Sequence, residues 1–191
     1  PSPYRFTPKT RTLDMELCGP TMANVLQRVQ RFTRTQLRVV CQNLLLALQH
    51  IHGKGIVHRD LKPANVCFRR DPLLFDDGCH AMLIDFGLAK SFRAVSGRHI
   101  DRGTECPLVG TVRYASMDQH EGAGCSRRSE IESLCYMMAN TQRRLPWQGL
   151  QSKDKHERAI AIGGLKQRMG VDAMPAELCA LYDHSQALGW A

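Results

Sequence analysis

The sequence of 191 residues contains 43% hydrophobic and 23% charged residues, which is typical of one globular domain and excludes disordered, collagen-like and fibrous classes. No apolar run approaches the roughly 20 residues that a membrane-spanning helix needs, so we expect no membrane span. The formal net charge of +8 favours anionic partners without choosing among nucleic acid, acidic lipid, nucleotide and phosphorylated protein.

The cysteines and the first residue bear on the cellular setting. The eight cysteines include no C-x-x-C pair, which argues against a zinc knuckle or a thioredoxin-type motif. Several lie in apolar stretches, where a reduced cysteine behaves as a small hydrophobic residue, so we expect a cytoplasmic or nuclear location, or both. The sequence starts with Pro1 rather than Met, and we expect a processed product or a fragment of a longer protein.

The first predicted element is an amphipathic helix. From residue 35 to residue 51, apolar side chains recur at i, i+3 and i+4 spacing, which is typical of a helix with one buried face. Gly53 and Gly55 follow this stretch and are expected to end the helix.

A small β-hairpin is predicted next. The runs 65–68 and 81–84 have β-leaning composition. Asp76, Asp77 and Gly78 lie between these runs and supply the turn chemistry of a hairpin.

The remaining chain combines a long loop with further helices. Residues 88–113 show neither helical nor strand periodicity, as expected of a long irregular loop. Helical spacing returns over residues 131–138, and again after Pro175, which is a suitable first residue of a helix. We therefore predict one α+β domain with a mostly helical body and a small β-hairpin.

Two motifs flank the predicted hairpin, His58-Arg59-Asp60-Leu61-Lys62-Pro63-Ala64-Asn65 before it and Asp85-Phe86-Gly87 after it. Phosphoryl transfer needs a carboxylate near the substrate hydroxyl and oxygen ligands for Mg²⁺ ions. A strand–loop–strand arrangement places such groups on one wall. The order and spacing of the two motifs match the catalytic-loop and metal-binding motifs of protein kinases.

These motifs assign a role to each polar residue. Asp60 would accept or orient the proton of the substrate hydroxyl, and Lys62 would neutralise charge that develops on the transferred phosphate. Asn65 and Asp85 would hold the magnesium ions. The Lys62-Pro63 pair favours Ser/Thr specificity, since tyrosine kinases typically carry Ala and Arg there.

Four further stretches indicate which kinases the sequence resembles. They are Met15-Glu16-Leu17-Cys18-Gly19-Pro20-Thr21, Gly110-Thr111-Val112-Arg113-Tyr114-Ala115-Ser116, Ser126-Arg127-Arg128 and Leu145-Pro146-Trp147-Gln148-Gly149-Leu150. Together they resemble the casein kinase I family of Ser/Thr kinases. The resemblance covers about residues 13–188, and vaccinia-related and tau-tubulin kinases share parts of it. It implies a protein-kinase-like fold with a hinge at about residues 14–20 and a C-terminal lobe at about residues 21–191.

The resemblance also implies an ATP site. Met15 matches the gatekeeper, and backbone groups of Glu16 and Cys18 would bind adenine. Cys67 and Ile84 match the apolar floor under the base. The implied cofactors are ATP and Mg²⁺.

A substrate site is implied as well. Arg113, Gly149 and Lys155 align with the anion-binding site of the family, which receives a phosphate or an acidic side chain of the substrate. Arg suits bidentate phosphate binding, whereas Lys acts as a point charge. We therefore expect protein substrates that are acidic or already phosphorylated.

The sequence departs from the family pattern in two regions. No G-x-G-x-x-G precedes Asp60, and Lys9 is the only lysine before the hinge. We therefore expect the N-terminal β lobe to be absent from this chain, and the chain as given to be nearly inactive. Glu130 stands where kinases have an Asp that anchors the catalytic loop, and Cys135 replaces a Gly. One extra methylene moves a carboxylate by roughly 1 Å, which can lower a rate on the order of 10²-fold if it reaches the catalytic group.

Two other functions stay open on the sequence. A pseudokinase or scaffold is favoured by the missing lobe, Glu130 and Cys135, whereas the intact Asp60, Asn65 and Asp85 oppose it. A basic nucleic-acid-binding module is favoured by the charge of +8, whereas an aromatic content of only 6% opposes it.

Overall fold

The computed structural model describes residues 4–15, 17–69, 80–103 and 106–189. The α-helices are α1 (Met22–Val29), α2 (Arg34–Gly53), α3 (Met117–His120), α4 (Arg127–Ala139), α5 (Lys155–Met169) and α6 (Ala176–Ala187). The strands are β1 (Tyr4–Thr7), β2 (Thr12–Met15), β3 (Ile56–Val57), β4 (Val66–Phe68), β5 (Ala81–Leu83) and β6 (Lys90–Ser91). Within the described residues the strands form antiparallel pairs, β1 with β2, β3 with β6 and β4 with β5.

The N-terminal hairpin of β1 and β2 was not predicted from the sequence. Its register places Tyr4 opposite Met15 and Phe6 opposite Leu13. The expectation that the N-terminal β lobe is absent from this chain stays a prediction.

The helix predicted over residues 35–51 is confirmed as α2, which is longer by one residue at its start and two at its end. Thr33 caps it, because the Thr33 hydroxyl accepts the N–H of Gln36 and the Gln36 side chain accepts the N–H of Thr33. Its buried face consists of Leu37, Val40, Cys41, Leu44 and Leu48.

The predicted hairpin is also confirmed. β4 pairs with β5 in the register Val66 opposite Leu83 and Phe68 opposite Ala81. The turn predicted at Asp76, Asp77 and Gly78 lies outside the described residues. The stretch 88–113 is largely irregular, as expected, although β6 pairs with β3 at its start.

The core lies where α4 packs against α2 and α6, with β5 against α2 and β4 against α1. The two later stretches with helical spacing are confirmed as α4 and α6. Pro175 is the N-cap of α6 rather than its first residue, and Leu188 follows its end. Helices α1, α3 and α5 were not predicted. None of the described helices is long and apolar enough to cross a membrane.

Candidate active site

Glu130 anchors the loop of residues 58–65, which joins β3 to β4, through hydrogen bonds to its backbone. Its Oε1 accepts the backbone N–H groups of His58 and Arg59, each at 2.7 Å. Its Oε2 lies 2.8 Å from Nε2 of His52 in α2. The Glu130 side chain is only 1% exposed, so these bonds form away from water, where charge-assisted bonds are strong.

The extra methylene of Glu130 therefore does not break the anchor that the sequence predicted at this position. Arg59 has a φ of 69°, which is unfavourable for a residue with a Cβ. The bond from the Arg59 N–H to Glu130 helps to hold this conformation. The second departure, Cys135, is fully buried in α4 and belongs to the core.

Asp60 is the centre of a side-chain network. Its Oδ2 lies 2.6 Å from Nζ of Lys62 and 3.2 Å from Nδ2 of Asn65, and its Oδ1 accepts the Thr111 hydroxyl at 2.7 Å. Burial raises the pKa of Asp60, but the hydrogen bonds from Lys62 and Thr111 outweigh burial and leave the pKa below its ordinary value. Asp60 is therefore ionised at neutral pH.

Gly110 allows Thr111 to reach Asp60. Its φ is +81°, and a Cβ at this position would lie 2.5 Å from the carbonyl oxygen of Arg59 and 3.1 Å from Oδ1 of Asp60. Both the conformation and the close approach require glycine. The sequence placed Gly110 and Thr111 in a motif but gave Thr111 no role, because the hydrogen bond to Asp60 appears only when the chain is folded.

Backbone contacts bring Asn65 next to Asp85. The N–H of Ile84 donates to the carbonyl oxygen of Asn65 at 2.9 Å. On the other side of the same residue, Nε2 of His58 lies 3.0 Å from the carbonyl oxygen of Ile84. Asp85 follows with a φ of 62° and an exposed carboxylate. The structure thus joins the two motifs that the sequence placed on either side of the hairpin.

Asn65 and Asp85 suit a magnesium ion that a nucleotide brings with it. The Asn65 side-chain nitrogen donates to the carbonyl oxygen of Asp60 at 3.0 Å, which leaves the amide oxygen as the ligand atom. Mg²⁺ is commonly held by one or two protein oxygens together with phosphate oxygens and water. Among the described residues, no group of three or more His, Cys, Asp or Glu side chains could hold a metal alone, and this mode needs none.

The segment after β2 runs antiparallel to β4. The N–H of Gly19 donates to the carbonyl oxygen of Phe68 at 2.8 Å, and the N–H of Phe68 donates to the carbonyl oxygen of Pro20 at 3.0 Å. Met15 ends β2, and Glu16 lies outside the described residues. The segment between the N-terminal hairpin and α1 therefore lies along the edge of the β4–β5 pair.

The three remaining residues of the predicted ATP site lie around this edge. Cys18 and Ile84 are half-buried, and Cys67 of β4 is 5% exposed. Burial, and then the neighbouring Cys18 thiol, raise the pKa of Cys67. Ile84 follows β5, the partner strand of β4.

The residues of the predicted anion site lie on three segments, which are the turn after Thr111, the turn that contains Gly149 and the start of α5. Nε1 of Trp147 donates to the carbonyl oxygen of Arg113 at 2.9 Å, which brings Arg113 near the turn that contains Gly149. Lys155 is the exposed first residue of α5 and lines a groove together with Val112, the neighbour of Arg113.

Gly149 has a φ of +97°, and a Cβ there would collide with the guanidinium of Arg144. Arg144 is exposed, and it donates to the carbonyl oxygen of Gln148 at 3.0 Å. The sequence analysis did not assign this cation. Its position in the sequence, five residues before Gly149, was the only signal available.

Comparison with known families decides the identity. The family model of the protein kinase domain matches residues 5–177. The chain belongs to the protein kinase family. This match spans both motifs of the kinase, its β4–β5 hairpin and nearly all of the β1–β2 hairpin that the sequence analysis did not predict. Protein kinases act on protein substrates and generally use ATP and Mg²⁺. The match is to the kinase domain in general and does not reach the casein kinase I family.

Proposed function

We propose that this protein kinase transfers the γ-phosphate of ATP to Ser or Thr hydroxyls of proteins, with a casein kinase I-like preference for acidic or phosphorylated substrates. The network around Asp60 carries this proposal. An ionised carboxylate, a cation at 2.6 Å and an amide at 3.2 Å meet in one loop, which is the arrangement that phosphoryl transfer to a hydroxyl needs.

Each residue of the network has one task. Asp60 accepts or orients the proton of the attacking hydroxyl, and Thr111 holds the Asp60 carboxylate in place through its own hydroxyl. Lys62 stabilises the negative charge of the phosphate in transit. The Lys62-Pro63 pair supports Ser/Thr over Tyr specificity.

The nucleotide side of the site rests on three groups of residues. Asn65 and Asp85 would hold Mg²⁺, which supplies positive charge at the phosphates. Backbone groups of Glu16 and Cys18 would bind adenine in a hinge at residues 14–20, next to Met15. Cys67 and Ile84 would contact the base from one side.

The substrate side rests on cations, of which Arg144 and Lys155 are exposed and Arg113 is half-buried. Arg113, Gly149 and Lys155 would receive a phosphate or carboxylate that precedes the target hydroxyl, and Arg144 adds a fourth group beside Gly149. Because these groups face water, screening limits their reach to about 8 Å at physiological salt. We therefore expect the preference for a phosphorylated peptide to weaken between 50 mM and 300 mM salt.

Nucleotide binding by the full chain tests this function. We expect MgATP to bind weakly in calorimetric titration, since no Gly-rich phosphate-covering loop is present in this sequence. Asp85→Asn should abolish the magnesium-dependent part of the binding, whereas Asp60→Asn should retain binding. In the chain joined to an N-terminal kinase lobe, Asp60→Asn should abolish transfer of labelled phosphate to a phosphorylated peptide. Asp183→Asn, an exposed position on α6, is the matched control.

The outcomes separate a kinase from its main rival. Equal MgATP binding by wild type and Asp85→Asn contradicts the metal assignment. In the chain joined to an N-terminal kinase lobe, transfer by Asp60→Asn within threefold of wild type contradicts the catalytic assignment. A wild-type chain that binds no nucleotide at all supports the pseudokinase or scaffold instead.

A further inference from the structure

Lys166 is a fully buried cation with no assigned role. It lies in α5 and is 1% exposed. Its Nζ donates to the carbonyl oxygens of Val112 at 3.0 Å and Ala115 at 2.6 Å, and it lies 3.2 Å from Nε2 of His120. Burying an ammonium group is costly unless its hydrogen bonds are replaced, and here the replacements are two backbone carbonyls.

Aromatic rings complete the surroundings of this ammonium group. Lys166 Nζ lies 4.7 Å from the ring centre of Tyr136 and 5.3 Å from that of Trp147, distances at which a cation is attracted to an aromatic face. Oε1 of Glu132 is bound elsewhere, since it accepts the Met117 N–H and the Tyr136 hydroxyl. The main hydrogen-bond partners of Lys166 are therefore in the segment 112–115.

The same segment is held by a second donor. Nε1 of Trp147 binds the carbonyl oxygen of Arg113, between the two carbonyls that Lys166 holds. The carbonyls of Val112, Arg113 and Ala115 are thus tied to the body of the domain by the side chains of Lys166 and Trp147. Immediately before them, Thr111 donates to Asp60.

We propose that Lys166 is a positioning residue for substrate recognition, which sets the backbone of residues 112–115 so that Arg113 presents its guanidinium to the anionic group of the substrate. The inference rests on the proposed function, because it assigns Arg113 to substrate binding. Lys166 itself is buried and does not touch the substrate. Its effect reaches the substrate through the backbone on both sides of Arg113.

The experiment measures peptide binding and backbone protection in the full chain. A fluorescent peptide with a phosphoserine before its target serine is titrated by anisotropy against wild type, Lys166→Met and Trp147→Phe. Lys166→Met removes the ammonium group and its positive charge. Trp147→Phe removes the indole donor and part of a buried ring but keeps the charge of Lys166, so it controls for that charge. Ile162→Val, at a position on α5 that is equally buried at 1% exposure, controls for loss of stability.

We expect Lys166→Met to weaken binding of the phosphorylated peptide by about tenfold, as loss of charge-assisted hydrogen bonds implies. Trp147→Phe should weaken it by a smaller factor, and Ile162→Val should leave it unchanged. Binding of the unphosphorylated peptide should not change in any variant.

Hydrogen exchange gives a readout that needs neither peptide nor nucleotide. The amides of Tyr114 and Ala115 bind the carbonyl oxygen of Thr111 at 2.8 Å and 3.2 Å, so they report directly on the segment. They should be protected in wild type and exchange faster in Trp147→Phe, and faster still in Lys166→Met. If Lys166→Met does not fold, Lys166→Gln, which keeps a polar group but not the charge, takes its place in both measurements.

The outcomes distinguish the inference from the function on which it rests. Faster exchange without loss of phosphopeptide binding overturns the positioning role and leaves the kinase proposal intact. Rapid exchange of these amides in wild type overturns it as well. MgATP binding, measured in the same preparations, reports on the kinase function separately and should be equal in all four proteins.

Discussion

Glu130 links the stability of the domain to the 58–65 loop, because one buried carboxylate satisfies two backbone N–H groups and a histidine. Glu130→Ala leaves both N–H groups buried without a partner. We expect it to lower the free energy of unfolding by about 3–5 kcal/mol, and Glu130→Gln, which keeps an acceptor, by about 1–3 kcal/mol. Urea unfolding measures both changes.

The matched control for Glu130 is Glu121→Gln. Glu121 is 48% exposed and pairs with Arg102 at the surface, where an ion pair contributes about 0–1 kcal/mol. A loss below 1 kcal/mol in Glu130→Ala would show that the loop does not depend on this anchor.

The sequence could assign residues to a common site when they lie close together in one motif. Asp60, Lys62 and Asn65 lie in one loop, so their spacing alone indicated a shared site. The Thr111 hydroxyl binds Asp60 across 51 positions and Lys166 holds Ala115 across 51 positions. No periodicity or spacing records such contacts, since they depend on how distant elements pack.

At the scale of elements, the start of α2 depends on one side chain. Thr33 and Gln36 exchange hydrogen bonds with each other's backbone N–H groups. Thr33→Ala removes the hydroxyl that caps the helix, and we expect it to lower the free energy of unfolding by about 1 kcal/mol. Thr35→Ala, exposed within the same helix, should change stability much less. Equal losses in the two variants, measured by thermal unfolding, contradict the capping role.

The two longest helices, α2 and α5, differ in how clearly the sequence pattern predicts them. In α2 one face is buried along its whole length, so the apolar spacing follows the helical period. In α5 the run 159–162 is apolar throughout, and its isoleucines differ sharply, with Ile160 62% exposed and Ile162 1% exposed. Gly163 lies within the helix, at a position where a Cβ would lie 3.1 Å from Nδ1 of the His120 ring. The position of α5 therefore depends on its packing against other elements, which the periodicity of its apolar residues does not show.

At the scale of the whole molecule, the groups around α5 make stability depend on pH. Burial, and then the nearby charge of Lys166, lower the pKa of His120 to about 4. The ordinary value is 6.5, so between these two values the unfolded chain binds a proton that the folded chain does not. Stability is therefore lost as the pH falls from 6.5 towards 4.

Other buried groups titrate with a different sign or in a different range. The lowered pKa values of Asp60 and Asp118 remove stability only below about 3.8, their ordinary value. Burial raises the pKa of Glu132 above 4.5, so the contribution of Glu132 to the stability of the fold is lost as the pH rises. In part of the same pH range this change opposes the effect of His120. Burial lowers the pKa of Lys166 to about 7, which affects stability only at higher pH.

A difference between two variants isolates the histidine from these other groups. His120→Gln keeps a hydrogen-bond acceptor near Lys166 but does not titrate, whereas His184→Gln changes an exposed histidine on α6. Between pH 7 and pH 4.5, wild type and His184→Gln should lose on the order of 2 kcal/mol more stability than His120→Gln. Urea unfolding at the two pH values measures the loss. If His120→Gln loses as much as wild type, acid sensitivity arises elsewhere and His120 is not the neutral partner of the Lys166 ammonium group.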